Sequence, residues 1–166
     1  MNRIFDIVLV LLFSGIALIS LLGAVAVLFP RPVEKARDIL TASFWKSFLL
    51  GLVNFLFFGA LVALLARFGQ RAYGALAAVL LLLALLLALA LTAFLLIGLS
   101  ALTNLAGERI GEGSNSFRRH LRGSLLIVLA GLTPYVGWFA FAPVMLITSL
   151  GAGIQAWFRK EPKVAA

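Results

Sequence analysis

Every Asp, Glu, Lys and Arg of this chain falls in a short polar stretch, and between those stretches run four segments without a single charge: residues 7–30, 47–66, 72–107 and 123–158. Each is long enough to cross a bilayer, because a spanning helix needs about 20 apolar residues, rising about 1.5 Å each, to traverse about 30 Å of hydrocarbon. Barrel strands would instead alternate apolar and polar side chains over about ten residues. Nothing here alternates, and the stretch from Leu80 to Leu87 is apolar on every face. Composition makes the same point: 63% of residues are hydrophobic and only 12% charged, against about a quarter charged in an ordinary soluble domain. Too few polar side chains remain to cover a globule, which excludes a water-soluble domain.

The expected fold is therefore an all-α integral membrane domain over residues 1–166, with four transmembrane helices near 6–29, 47–66, 74–102 and 124–157. The first run contains Ala24-Val25-Ala26, the form of a signal-peptide cleavage site. Its length exceeds the about 7–15 residues of a signal peptide's apolar core, so it reads as a retained span. Between the first two spans, Pro32 suits a first helical turn, and Val33, Ala36, Ile39 and Leu40 fall on one face. A short interfacial helix is expected there.

Small and polar positions inside the spans mark candidate packing surfaces. Asn54 sits near the middle of the second span, where an amide at bilayer depth prefers an interhelical hydrogen bond to lipid, and Gly59 and Ala63 lie four residues apart. Trp45 and Lys46 at the start of that span, and Trp157 at the end of the fourth, read as interfacial anchors. The third run has no internal turn and reads as one long helix, tilted or protruding from the membrane. On it Ala84, Ala88, Thr92, Ser100 and Asn104 form a stripe interrupted by Leu96. That stripe is expected to face other helices, with a pore lining as the sharper alternative. In the fourth run Pro134, Gly137 and Pro143 predict a break or kink at 134–137. The ten residues before the break are too few to span, so they lie at the interface or re-enter unless the helix bends sharply. Broken helices also form solute sites in transporters, which keeps a hinge and a binding site both open.

The third loop begins with a glycine-rich stretch, Gly107 to Ser116, read as flexible, and continues Phe117-Arg118-Arg119-His120-Leu121-Arg122. It has neither the spacing nor the preceding strand of a phosphate-binding loop. Arg118, Arg119 and Arg122, interleaved with apolar residues, suit lipid headgroups, at about 1 kcal/mol for each cation near an anionic leaflet. The formal charge of +8 is assigned to the same partner, membrane lipid, and not to nucleic acid, because the cations border apolar runs. Loops one and three hold eight Lys and Arg, against six in the termini and loop two. By the positive-inside rule, residues 31–46 and 103–122 face the cytoplasm and both termini lie outside.

Chemistry is sparse. No ionisable residue of the kind used by proton pumps, voltage sensors or intramembrane carboxylate enzymes lies within an apolar run. With no Cys and a single His, no metal or cofactor site is expected and no thiol can act as nucleophile. General acid–base work would fall to Glu108, Glu112 or His120 in a loop without evident support. Packing surface without a catalytic set points to a non-enzymatic anchor, scaffold or accessory subunit, docked against other membrane subunits or a second copy. A small oligomeric channel or carrier is the alternative.

Several short segments carry a resemblance: Phe29-Pro30-Arg31-Pro32-Val33-Glu34-Lys35-Ala36, Ser47-Phe48-Leu49-Leu50-Gly51, Gly107-Glu108-Arg109, Pro134-Tyr135-Val136-Gly137-Trp138 and Gly151-Ala152-Gly153. Together they resemble the bacterial multi-pass membrane domain that in some proteins follows a polymer-forming, bactofilin-like β-helix. The resemblance implies a membrane anchor.

Overall fold

The computed structural model describes residues 3–110, 116–133 and 135–159. Helix α1 (Arg3–Leu28) is followed by the short α2 (Pro30–Ala42), then by α3 (Phe44–Arg71) and the long α4 (Gly74–Ile110). Helix α5 (Ser116–Leu132), a π-helical segment (Gly137–Phe141) and α6 (Ala142–Phe158) complete the chain. No strand is present among the described residues. Four stretches are long and apolar enough to cross a membrane: Phe5–Leu28, Phe44–Arg71, Gly74–Arg109 and Gly137–Phe158.

Local chemistry sets the boundaries. Phe29 leaves the helical region (φ −125°, ψ 57°) because it precedes Pro30, whose ring disfavours α conformation in the residue before it. Pro30 then starts α2, where its missing N–H has no helical partner to lose. The face expected from the sequence is the one buried: Val33, Ala36, Ile39 and Leu40, packed against α4 and α6. Between α3 and α4, Gly74 takes φ +64°, a left-handed conformation that glycine adopts without steric cost.

The expected break is present and separates two helices. Residues 124–132 belong to α5, whose apolar part, Leu121–Gly131, is too short to span. Tyr135 takes φ 66°, a conformation costing a non-glycine residue about 1–3 kcal/mol. Past the turn the Ala142 amide bonds to the Gly137 carbonyl, five residues back. This wider π turn directly precedes Pro143, which cannot donate a backbone hydrogen bond and whose ring would crowd the carbonyl four residues earlier in a regular helix. Gly137 is buried, and a side chain there would run into Ala130 and Gly131 of α5. Pro134 lies outside the described residues.

The buried core gathers around the second half of α4. Ile97, Leu99, Ala101 and Leu102 pack with Leu22 and Val25 of α1, the buried face of α2, Ile127 of α5, and Ala152 and Ala156 of α6. Away from it, α1, α3 and the first half of α4 present large apolar side chains outward. Phe57 is 63% exposed and Leu82 55%. An extensive apolar surface of this kind fits hydrocarbon as its solvent and not water.

Glycines let the backbones meet around that core. A methyl group at Gly51 of α3 would overlap the Ile147 carbonyl oxygen of α6, and one at Gly151 would overlap the Ser47 carbonyl oxygen of α3. Gly98 of α4 lies against the Ser149 carbonyl in the same manner. Without a hydrophobic drive between helices in lipid, such close approach supplies dispersion contact and weak Cα–H···O bonds. Across the bundle, the Ser100 hydroxyl donates to the Leu22 carbonyl at 3.1 Å, and the Gln155 amide donates to Ser47 Oγ at 3.2 Å. Ser100→Ala removes the first of these and should lower stability by about 0.6–1.7 kcal/mol, measured as a shift in unfolding from mixed micelles. No change would detach that bond from α1 docking.

Candidate functional site

The charged groups that converge inside the fold do so at the end where α1 meets α2 and α4 meets α5. The sequence reading placed Gly107 and Glu108 in a flexible loop; in the structure α4 continues through both of them to Ile110. Gly107 is buried, and a methyl group on it would strike the Arg119 carbonyl of α5. The facing Gly123 lies equally close to the Thr103 carbonyl. Two glycines thus bring α4 and α5 into backbone contact, and a rigid helix carries Glu108.

That contact decides what Glu108 meets. One carboxylate oxygen, Oε2, lies 3.1 Å from Arg37 Nε of α2, and the other, Oε1, lies 3.1 Å from Arg119 Nη1 of α5. A single carboxylate therefore ties three helices together. The Glu108 side chain is 24% exposed, that of Arg37 35% and that of Arg119 32%. Attraction in this partly dry setting exceeds that of a surface pair, whose worth is about 0–1 kcal/mol.

The bridge forms one wall of a cavity of about 840 Å³. Its other walls are largely apolar: Ile19, Gly23, Ala24 and Val27 from α1, with Pro30 and Val33 from α2. Glu34 and Asn104 add polar groups beside the bridge. The result is a pocket with an ionic end and a hydrocarbon end, within the size range of small-molecule sites, about 300–1,000 Å³. A smaller cavity of about 250 Å³, bounded by Leu11, Leu18, Leu99 and Met145, lies between α1, α4 and the α5–α6 region.

The residues singled out from sequence are distributed as follows. Asn54 donates its amide to the Leu50 carbonyl of its own helix at 2.7 Å. Gly59 has open space where a side chain would be, and Ala63 is exposed. On α4, Ala84 and Ser100 are buried, Ala88 and Asn104 half-buried, and Thr92 exposed, its hydroxyl returned to the Ala88 carbonyl. Trp45 and Lys46 are exposed, with the Trp45 ring edge-on to Phe48 at 5.6 Å. Trp157 is exposed and packs edge-on to Phe94 at 6.0 Å. Arg118 and Arg122 are exposed, whereas Arg119, grouped with them from sequence, turns inward to Glu108. Glu112 and the side chain of His120 lie outside the described residues.

Sequence reasoning missed the three-residue bridge and the glycine crossings. Small residues four apart at Ser47/Gly51 and Thr103/Gly107 are the signal that locates two of those crossings. Opposite charges on Arg37 and Glu108, assigned to the same side of the membrane, hint at the bridge without specifying it. Among the described residues no group of three or more His, Cys, Asp or Glu is placed to hold a metal ion. No protein-family model, curated protein or solved structure matches the chain.

Proposed function

We propose that this is a non-enzymatic, multi-pass protein of a cell membrane, serving as an anchor, scaffold or accessory subunit of a larger membrane assembly. Residues 31–46 and 103–122 face the cytoplasm in this reading. The observation that carries it is the use made of Glu108. Glu108, one of the three groups to which acid–base work would fall, is held between two guanidiniums, where it fastens α2, α4 and α5 into a firm cap. The resemblance to the membrane segment that follows bactofilin-like β-helices agrees with an anchoring role. A docking face is available on α3, where Gly59 has open space at the position of a side chain and Ala63 is exposed, while Gly51 of the same helix is fully engaged.

Extraction from native membranes in mild detergent, with identification of everything that co-purifies, tests the proposal. Recovery with a second membrane polypeptide or as a defined multimer is expected. A single copy with no companion contradicts it. Asn54→Leu should leave insertion intact and weaken that assembly severalfold; an unchanged complex removes Asn54 from the account. Solute flux in liposomes, abolished by Thr92→Leu or Ser100→Leu, would replace this reading by the channel alternative.

A further inference from the structure

We infer that the cavity beside the Arg37–Glu108–Arg119 bridge is a phospholipid site, holding the phosphate at the bridge and the upper acyl chains along α1. The inference is independent of the anchor reading. It rests first on the division of the cavity wall. At one end stand the guanidiniums of Arg37 and Arg119 with the carboxylates of Glu108 and Glu34, an ionic end of balanced charge in which both guanidiniums line the cavity. Guanidinium forks match phosphate oxygens bidentately and lose less hydration on burial than an ammonium. At the other end stand mostly side chains with the polarity of a lipid tail, Ile19, Ala24 and Val27 among them, with the small hydroxyl of Ser20 beside them.

Geometry at Arg37 adds a second observation. Its Nε is buried and lies 3.1 Å from Glu108 Oε2, yet without the alignment of a hydrogen bond. The ion pair occupies that side of the guanidinium, while the Arg37 side chain as a whole stays 35% exposed and lines the cavity. A phosphate oxygen entering beside Glu108 can accept from the part of that guanidinium that remains open. Location gives the third reason. Val27 is 78% and Leu28 70% exposed where they border the cavity. The hydrocarbon end is thus open to the lipid-facing surface of α1, while the ionic end sits at the α1–α2 junction, where the first apolar run gives way to charged residues. A soluble anion satisfies the ionic end alone; a molecule with a phosphate and acyl chains satisfies both. The 840 Å³ suits a headgroup with the first part of its chains, the tails continuing into the bilayer.

Native mass spectrometry of the full chain tests this, with phosphatidylglycerol, phosphatidylethanolamine and diacylglycerol each titrated into the detergent-solubilised protein. One tightly held phospholipid per chain is expected, surviving activation that strips other lipids, with diacylglycerol bound at least tenfold more weakly. Arg37→Gln should lower occupancy about tenfold. Because that change also weakens the bridge, Ala24→Phe provides a second reading: it fills the hydrocarbon end from an exposed position and should lower occupancy at least as much while the protein stays folded by circular dichroism. Arg118→Gln and Arg122→Gln, at exposed positions outside the cavity, should change occupancy less than twofold. Equal binding of diacylglycerol, full occupancy in Ala24→Phe, or loss of binding in the Arg118 or Arg122 variants would each overturn the assignment. A preference for phosphatidylglycerol or for phosphatidylethanolamine reports only which headgroup the shared phosphate chemistry selects, and either supports it.

Discussion

Gly151→Ala is expected to destabilise the protein by about 3 kcal/mol or more, the upper end of what one added methyl group does in a packed interior. The reason is the identity of the neighbours. The new carbon would overlap the Ser47 carbonyl oxygen and press on the Gly51 amide. Both are backbone atoms of a helix whose every peptide is fixed by its own hydrogen bonds, so no side chain can rotate away. Separating α3 from α6 to make room also breaks the Gln155–Ser47 hydrogen bond at the same crossing. Gly59→Ala is the matched control on α3. Nothing lies within 4 Å of the added carbon there, so the gain in helix propensity, about 0.5–1 kcal/mol, should appear unopposed. Denaturation in mixed micelles measures both. Equal behaviour of the two variants would show that α3 and α6 do not cross as described.

The second large effect concerns Glu108. Glu108→Gln leaves Arg37 and Arg119 facing one another across a neutral amide, removing two ion pairs and adding a like-charge repulsion. Breaking a fully buried pair costs about 3–5 kcal/mol. With side chains 24–35% exposed, solvent screening reduces that to about 1–3 kcal/mol. Arg37→Gln should cost less, because Arg119 still holds the carboxylate. The double variant Arg37→Gln/Glu108→Gln should recover part of the loss of Glu108→Gln alone, since it relieves the repulsion. Strictly additive losses would mean that the two groups do not interact in solution. High salt should narrow the difference between wild type and Glu108→Gln only slightly, in contrast to a surface pair.

These two predictions rest on features of unequal legibility. The spans are written in the gaps between charges, because burying an unpaired ion in hydrocarbon is costly enough to leave a one-dimensional trace. Helix α2 was legible for a related reason: Pro30 and Pro32 fix its start, and the spacing of Val33, Ala36, Ile39 and Leu40 defines its buried face. The break between α5 and α6 announced itself through Pro134, Gly137 and Pro143. Glycine is where the reading ran out. Gly107, Gly111 and Gly113 look alike in sequence, yet Gly107 is a contact point inside α4. Loop glycine and crossing glycine share the missing Cβ, and only the partner helix distinguishes them. Gly59 and Gly151 differ in the same hidden respect. Mistaking Gly107 for a loop residue moved Glu108 off its helix as well, and with it the bridge to Arg37 and Arg119.

The central claim is that lipid, not water, surrounds the outward apolar faces of this helix bundle, with the α1–α2 and α4–α5 junctions at one membrane surface and the α3–α4 turn at the other. The chain has no cysteine, so single cysteines introduced in otherwise unchanged protein can be probed in sealed vesicles with a membrane-impermeant maleimide. Arg31→Cys and Arg118→Cys should react together from one side, Tyr73→Cys only from the other, and Phe57→Cys and Leu82→Cys, though outward-facing in the fold, from neither until the membrane is dissolved. Prompt labelling of Phe57→Cys or Leu82→Cys in intact vesicles, or reaction of Tyr73→Cys from the same side as Arg31→Cys, would contradict it.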